Sequence, residues 1–460
     1  MSDWVERLMD GAFDDPSGRI VAMECDELEI DGATVGRVQL TFTVEDLRGD
    51  TYEARGRILV PSDLAVEPGA RLPLVYHCGY EAPEAVGAKQ VARGRVSVTT
   101  VQLPLDAVFP NSWSLLRGPK MEVVLGHLVR SLPFVDPGRV VYTGGSAGGY
   151  SALMAGAEAF PAAAVVSGVP PTNLAYMSAV TEVNHTRLLG SDAASVEWLE
   201  GMMRAVAAWR SVHGEDYDAP GWLAHSPVAH VDRVTAPVAA FFSQADVLVP
   251  IAQVDEALAA PIVSSRAGEM EFRPEALTDA RSAQIRLLDV LGDRADVHLV
   301  QVPEDALPML QADLTLLTEM PPFVLPDLEP VASRWSVVIA DEGEPVFVVS
   351  HFKHQYEPDF EPFIERALRT ETSVDQLTAT KLDQLLDRWA GEEWLAEGFW
   401  HLDRPEAERA DVERGLRTYC DTSPAHAARL RNLYSQCPEE RRVLPQDLVA
   451  ELTDSAELPV

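Results

Sequence analysis

The sequence has only four lysines, at 89, 120, 353 and 381, so nearly all of its 37 basic residues are arginine. Against 72 acidic residues this leaves a formal net charge of −35. Such a balance disfavours nucleic acid and anionic lipid as partners, because both are polyanions. An acidic, lysine-poor surface fits a salt-adapted protein, in which salt screens self-repulsion. It equally fits an acidic protein from a GC-rich genome. Cysteine is also scarce. Cys25, Cys78, Cys420 and Cys437 match no zinc-ligand spacing. Cys420 and Cys437 could bridge around a helix, but free thiols are expected. No apolar run of 18 residues occurs, which argues against a membrane span. The start, MSDWVERLMDGAFDDPSG, is acidic and lacks the apolar stretch of a signal peptide, so a cytoplasmic protein is expected.

What the chain does contain is 47% apolar residues over 460 positions, enough for a large core. RVQLTFTVEDL and TYEARGRILVP alternate around Arg48-Gly49-Asp50 and predict an antiparallel hairpin. LPLVYHCGY, RVSVTTVQLP, RVVYTG, AAVVSGVPP and PVAAFFSQAD read as short apolar strands, with MEVVLGHLVRSL and GGYSALMAGAEAF helical between them. Strands and helices alternating at this spacing predict an α/β fold with a mostly parallel twisted sheet and helices on both faces. Residues 172–226 are helical and predict an inserted cap. Its Trp198, Met202, Met203 and Trp209 either line a pocket or pack the cap on the core, packing being the more common use. DVHLVQVP reads as a further strand, and WSVVIADEGEPVFVVSHFKH as two more. An α/β body over 1–372 is expected, with a second insertion at about 261–340 and a helical extension over 373–460. Those last helices could dock on the core or pair copies of the chain.

One stretch carries chemistry. VVYTGGSAGGYSALM places Gly144-Gly145-Ser146-Ala147-Gly148 between an apolar strand and a small-residue helix. This is the G-x-S-x-G pattern of a nucleophile elbow, in which a strained turn lifts the serine above the sheet. The alternative, a glycine turn for packing or phosphate, lacks both the G-x-G-x-x-G spacing and a P-loop lysine. A serine nucleophile needs a base, and the base an orienting acid. Asp246 follows the strand PVAAFFS in the right chain order, although an aspartate there could also cap a turn. His77 precedes the elbow and is expected to pack beneath its loop. After DVHLVQVP no histidine falls near Asp305-Ala306-Leu307, and His298 lies inside the strand. The remaining candidate is His351, with His354 behind it, in PVFVVSHFKHQYEP; an amphipathic helix should follow from about Pro358.

From about Arg37 to Pro250 the sequence resembles the α/β-hydrolase superfamily, closest to its prolyl-oligopeptidase-like and acetyl-esterase-like serine hydrolases. HCGYEA, FVDPGRVVYTGGSAGGYSALM and SPVAHVDRVTAPVAAFFSQADVLVP carry the resemblance, in the family's order. It implies Ser146 as nucleophile, Asp246 as acid, and Tyr80 and Ala147 as backbone oxyanion donors. SHFKHQYEP is similar to the G-H-x-x-H-x-x-x-P ending of single-domain members, implying His351 as base, with Ser350 in place of the glycine. Phe242-Ser243 stand where the family often has His-Gly. No cofactor or metal is implied. The expected substrate is a small ester or a peptide. Only about 70 residues precede the third strand, too few for the propeller of prolyl oligopeptidases, which favours a carboxylesterase over a peptidase. A degenerate hydrolase fold acting as a binding protein is the alternative from another class.

Overall fold

The computed structural model describes most of residues 18–300, and beyond them 337–341, 344–349, 360–369, 417, 420, 424–436 and 446–454. Within 18–300 the description leaves out 46–50, 63–70, 80, 102–117, 131, 158–161, 189–202, 204–205, 232–233, 235, 244–248, 250, 255–261, 265–267, 271–284 and 292–294.

Strands β1 (Gly18–Ile30), β2 (Ala33–Glu45) and β3 (Thr51–Pro61) form an antiparallel meander. The β1–β2 turn is Asp31-Gly32, with φ of 51° and 80°, the two left-handed residues that a two-residue hairpin requires. The β2–β3 pairing is the expected hairpin; its turn residues lie outside the described residues. β1 was not foreseen from the sequence.

The chain then enters the parallel part of the sheet. β4 (Leu72–His77), α1 (Glu84–Val91), β5 (Val96–Val101), α2 (Gly118–Arg130), β6 (Val135–Gly145), α3 (Ala147–Ala157) and β7 (Ala164–Gly168) alternate as expected. Helix α4 (Leu174–Leu188), a helical stretch at 206–213 and α5 (Pro220–Ala224) fall between β7 and the next strand. β8 (Val238–Ser243) and β11 (Ala295–Val300) complete the sheet, with the small hairpin β9 (Ile262–Ser264)–β10 (Gly268–Met270) and α6 (Leu287–Leu291) between them. The nine strands run in the order β1-β2-β3-β5-β4-β6-β7-β8-β11, and every pair from β5–β4 onward is parallel. This is the α/β-hydrolase fold.

Period-two alternation sends successive residues to opposite faces. Leu74 and Tyr76 join Leu40, Leu125 and Leu153 in the core under α2 and α3. Val75 faces the other way, with Val141, Val166 and Phe241. Both faces of the central strands are therefore buried, which is why those strands read as continuous apolar runs. The second face is covered by α7 (Glu361–Leu368), through Ile364 and Leu368. β12 (Val337–Asp341) and β13 (Glu344–Val349) make a two-stranded hairpin of their own. Helices α8 (Pro424–Gln436) and α9 (Gln446–Asp454) pack on each other. Among the described residues no helix is long and apolar enough to cross a membrane. Cys25 and Cys78 are free thiols.

Candidate active site

The elbow is as strained as its chemistry requires. Ser146 has φ of 58°, in the left-handed region that costs a side-chain-bearing residue roughly 1–3 kcal/mol. Its N–H donates to Gly168 O at 2.7 Å, and its carbonyl accepts from Tyr150 N–H at 3.0 Å in the first turn of α3. The turn is thereby held between β7 and the helix. Ser146 is 1% exposed.

The glycines show why the motif has its spacing. A Cβ at Gly144 would lie 2.5 Å from the carbonyl carbon and oxygen of Gly148 and 2.9 Å from Cys78 O. A Cβ at Gly149 would lie 2.7 Å from Ser167 Oγ. At Gly145, the variable position, the nearest atom would be 3.9 Å away. Strand, elbow and helix thus touch backbone to backbone at the motif's fixed glycines. The N–H of Ala147, the first residue of α3, belongs to the turn whose amides have no partner inside the helix.

The loop after β4 closes on the same point. Cys78 N–H donates to Thr143 O at 2.7 Å. Gly79 takes φ of 79°, and a Cβ there would sit 2.3 Å from Gly148 Cα. The structure therefore brings together three parts of the expected site: the nucleophile, the Ala147 amide and the loop leading to Tyr80. Tyr80, Asp246, His351 and His354 lie outside the described residues.

The described neighbours of those positions are informative. Asp246 belongs to the segment leaving the carboxyl end of β8, two strands from β6. That segment is flanked by Gln253, whose side-chain oxygen accepts from Thr172 N–H at 2.7 Å and Asn173 N–H at 3.2 Å. β13, which runs toward His351, pairs with β12 rather than with the large sheet, whose last strand is β11. Yet the chain returns. The Phe360 ring lies against Gly168, so that a Cβ on that glycine would be 2.9 Å from it, and stacks at 5.1 Å on Phe241. Gly168 is the residue whose carbonyl holds Ser146. Phe360 therefore lies at the elbow's edge of the sheet. Glu361 anchors the helix through Arg95 and Gln90.

His77, the last residue of β4, is half-buried, and burial of its ring pushes its pKa down to about 4. Trp209 is 2% exposed and packs with Tyr150, Met154, Leu174 and Trp222, so for it the packing reading holds. Met203 is half-buried, and Trp198 and Met202 lie outside the described residues. Among the described residues no cluster of three or more His, Cys, Asp or Glu could hold a metal. One buried acid was not singled out by sequence reasoning. Glu122 on α2 is fully buried, and its Oε1 accepts from Gly79 N–H at 2.6 Å and from Thr100 Oγ1 at 3.0 Å. The sole signal was an acid among the apolar residues of MEVVL.

A strained serine between a parallel strand and a helix, in this sheet order, defines a serine hydrolase of the α/β-hydrolase superfamily. Residues 123–269, about one third of the chain, match the prolyl oligopeptidase family. Among curated proteins none matches the sequence. Solved structures resemble it at low identity. The acetyl xylan esterase of Paenibacillus sp. R4 is 12% identical, covering 64% of this chain and 85% of that one, with a TM-score of 0.35. Acetyl xylan esterase 1 of Thermoanaerobacterium sp. JW/SL YS485 is 14% identical, covering 69% and 92%, at 0.36. A puromycin-hydrolyzing peptidase of Mycobacterium tuberculosis is 14% identical, covering 58% and 42%, at 0.34. The class rests on the sheet order, the elbow and the family match rather than on these likenesses.

Proposed function

We propose that the protein is a carboxylesterase working through an acyl-enzyme, with Ser146, His351 and Asp246 as its triad. Ser146 Oγ attacks an ester carbonyl while His351 takes its proton. Asp246 orients the imidazole, and the Tyr80 and Ala147 amides receive the developing oxyanion. His351 then protonates the leaving alcohol, and water cleaves the acyl-enzyme by the same route in reverse. The observation that carries this reading is the left-handed Ser146 wedged between β6 and α3. The docking of α7 beside Gly168 supports a base upstream of Phe360, within the reach of six to nine extended residues at about 3.3 Å each. A small or medium ester is the proposed substrate, in a cytoplasmic setting.

The family match favours a second reading, cleavage of a peptide bond. Turnover of p-nitrophenyl acetate and of an alanyl p-nitroanilide, at low and high salt, separates the two. Ester turnover with kcat/KM at least 100-fold above the anilide supports the esterase. The reverse ratio supports the peptidase. No turnover of either by folded protein contradicts both and leaves a binding protein.

A further inference from the structure

Glu122 is a buried acid the proposed mechanism does not use, and its placement is specific. It is fully buried on α2, which packs against β2, β5 and β6. Its Oε1 receives the Gly79 N–H at 2.6 Å and the Thr100 hydroxyl at 3.0 Å. The Tyr76 hydroxyl and the Cys78 thiol are the titratable groups beside it, and its Oε2 has no hydrogen-bond partner among the described residues. Burying a carboxylate costs far more than burying the leucine that a packing role would use. Sequence and fold therefore keep the acid here at a cost in stability.

What it holds is the loop residue jammed against the elbow. Gly79 sits with φ of 79° within van der Waals reach of Gly148, one peptide ahead of Tyr80. Fixing the Gly79 N–H fixes the peptide plane ahead of its Cα, and from there the Gly79 torsions, with φ held at 79° against Gly148, lead to the plane that carries the next amide. We infer that Glu122 is the positioning residue of the loop after β4: its Oε1 pins Gly79 against Gly148 at the elbow, and so holds the backbone that leads to the amide proposed as oxyanion donor. The inference rests on the serine-hydrolase reading of Ser146. It asks for an oxygen at one place rather than for a negative charge.

Two near-isosteric variants separate place from charge. Glu122→Gln keeps an acceptor oxygen at the same reach and removes the charge. Glu122→Asp keeps the charge and withdraws the oxygens by about one bond length, beyond hydrogen-bond reach. For p-nitrophenyl acetate, Glu122→Gln should hold kcat within about fivefold of wild type. Glu122→Asp should lower kcat roughly 10- to 100-fold with KM within threefold, since an oxyanion donor acts in the transition state. Amide hydrogen exchange at Gly79, read by mass spectrometry on the same proteins, should stay slow in the Gln variant and become fast in the Asp variant. Wild-type kcat and unchanged exchange in Glu122→Asp would overturn the inference. So would a Gln variant as impaired as the Asp variant, because charge would then be the requirement. Fast Gly79 exchange in Asp alone, with no turnover or fluorophosphonate labelling in wild type, would keep the pin and sink the hydrolase reading. If Glu122→Asp does not fold, Thr100→Val removes the hydroxyl that steadies Oε1. A three- to tenfold lower kcat and faster Gly79 exchange are then expected, and no change in either overturns the inference.

Discussion

Two regions meet at the carboxyl edge of the sheet, and they are built differently. The elbow, from Thr143 to Tyr150, is shaped mainly by atoms a few residues apart, Gly144 against Gly148 and Ser146 against Tyr150, and is clamped by Gly79, just past β4, and by Gly168 of β7. The segment toward the base, from β12 to α7, is fixed from far away. Its hairpin pairs internally, and its return rests on Phe360 meeting Gly168 and Phe241, about 190 and 120 residues upstream. The proposed nucleophile is thus shaped mainly by local sterics, while the helix that follows its proposed partner is held by long-range docking. Substitutions in the first region should act on the reaction abruptly; those in the second should act through stability and approach.

The largest expected effect is at the elbow. Ser146→Ala should remove fluorophosphonate labelling and lower turnover by roughly three to six powers of ten, with the fold intact by circular dichroism. A paired substitution sharpens the point. Gly144→Ala forces a Cβ to 2.5 Å from Gly148 and should cost at least about 100-fold in kcat/KM. Gly145→Ala, with open space to 3.9 Å, should stay within about threefold. Equal effects at the two would break the account of the motif. In the second region, Phe360→Ala opens a cavity between Gly168 and Phe241 and should destabilise by about 3 kcal/mol in urea unfolding. Its loss in labelling rate should be smaller than that of Gly144→Ala.

The smallest effect distinguishes stability from function. Burial pushes the Glu122 carboxyl up to about 7, partly offset by its hydrogen bonds. Between about pH 4.5 and 7 the folded protein then holds a proton that the unfolded chain has lost. Stability therefore falls as pH rises through that window and levels off above it. Glu122→Gln should flatten the fall and be more stable than wild type at pH 8, by on the order of 2–3 kcal/mol. A Gln variant less stable than wild type at pH 8 would contradict this sign.

The contrast between the regions also decides what could be read in advance. Strands β4 to β8 were legible because burial on both faces makes them short apolar runs bounded by helices. The elbow was legible because its glycines are each other's neighbours in sequence as well as in space. β1 was not, since GRIVAMECDELEI is a mostly exposed edge strand with no apolar run to mark it. Its Asp31-Gly32 turn was the signal passed over. Glu122 was not, because its function depends on Gly79, 43 residues away. The base was narrowed to His351 and His354 by pattern alone. The hairpin that precedes them gives no period by which a reader could tell a separate ribbon from a last core strand. The contact of Phe360 with Gly168 is the one observation, absent from the pattern, that favours the proposed base upstream of α7.

The central claim is that Ser146 is a nucleophile activated by a histidine upstream of α7. The most direct measurement is the rate of fluorophosphonate labelling of wild type, Ser146→Ala, His351→Ala and His354→Ala, at low and high salt. The account predicts labelling of wild type that vanishes in Ser146→Ala and falls at least about 100-fold in His351→Ala, with His354→Ala close to wild type. Wild-type labelling rates in both histidine variants would contradict it, as would a folded wild type that takes up no probe at any salt.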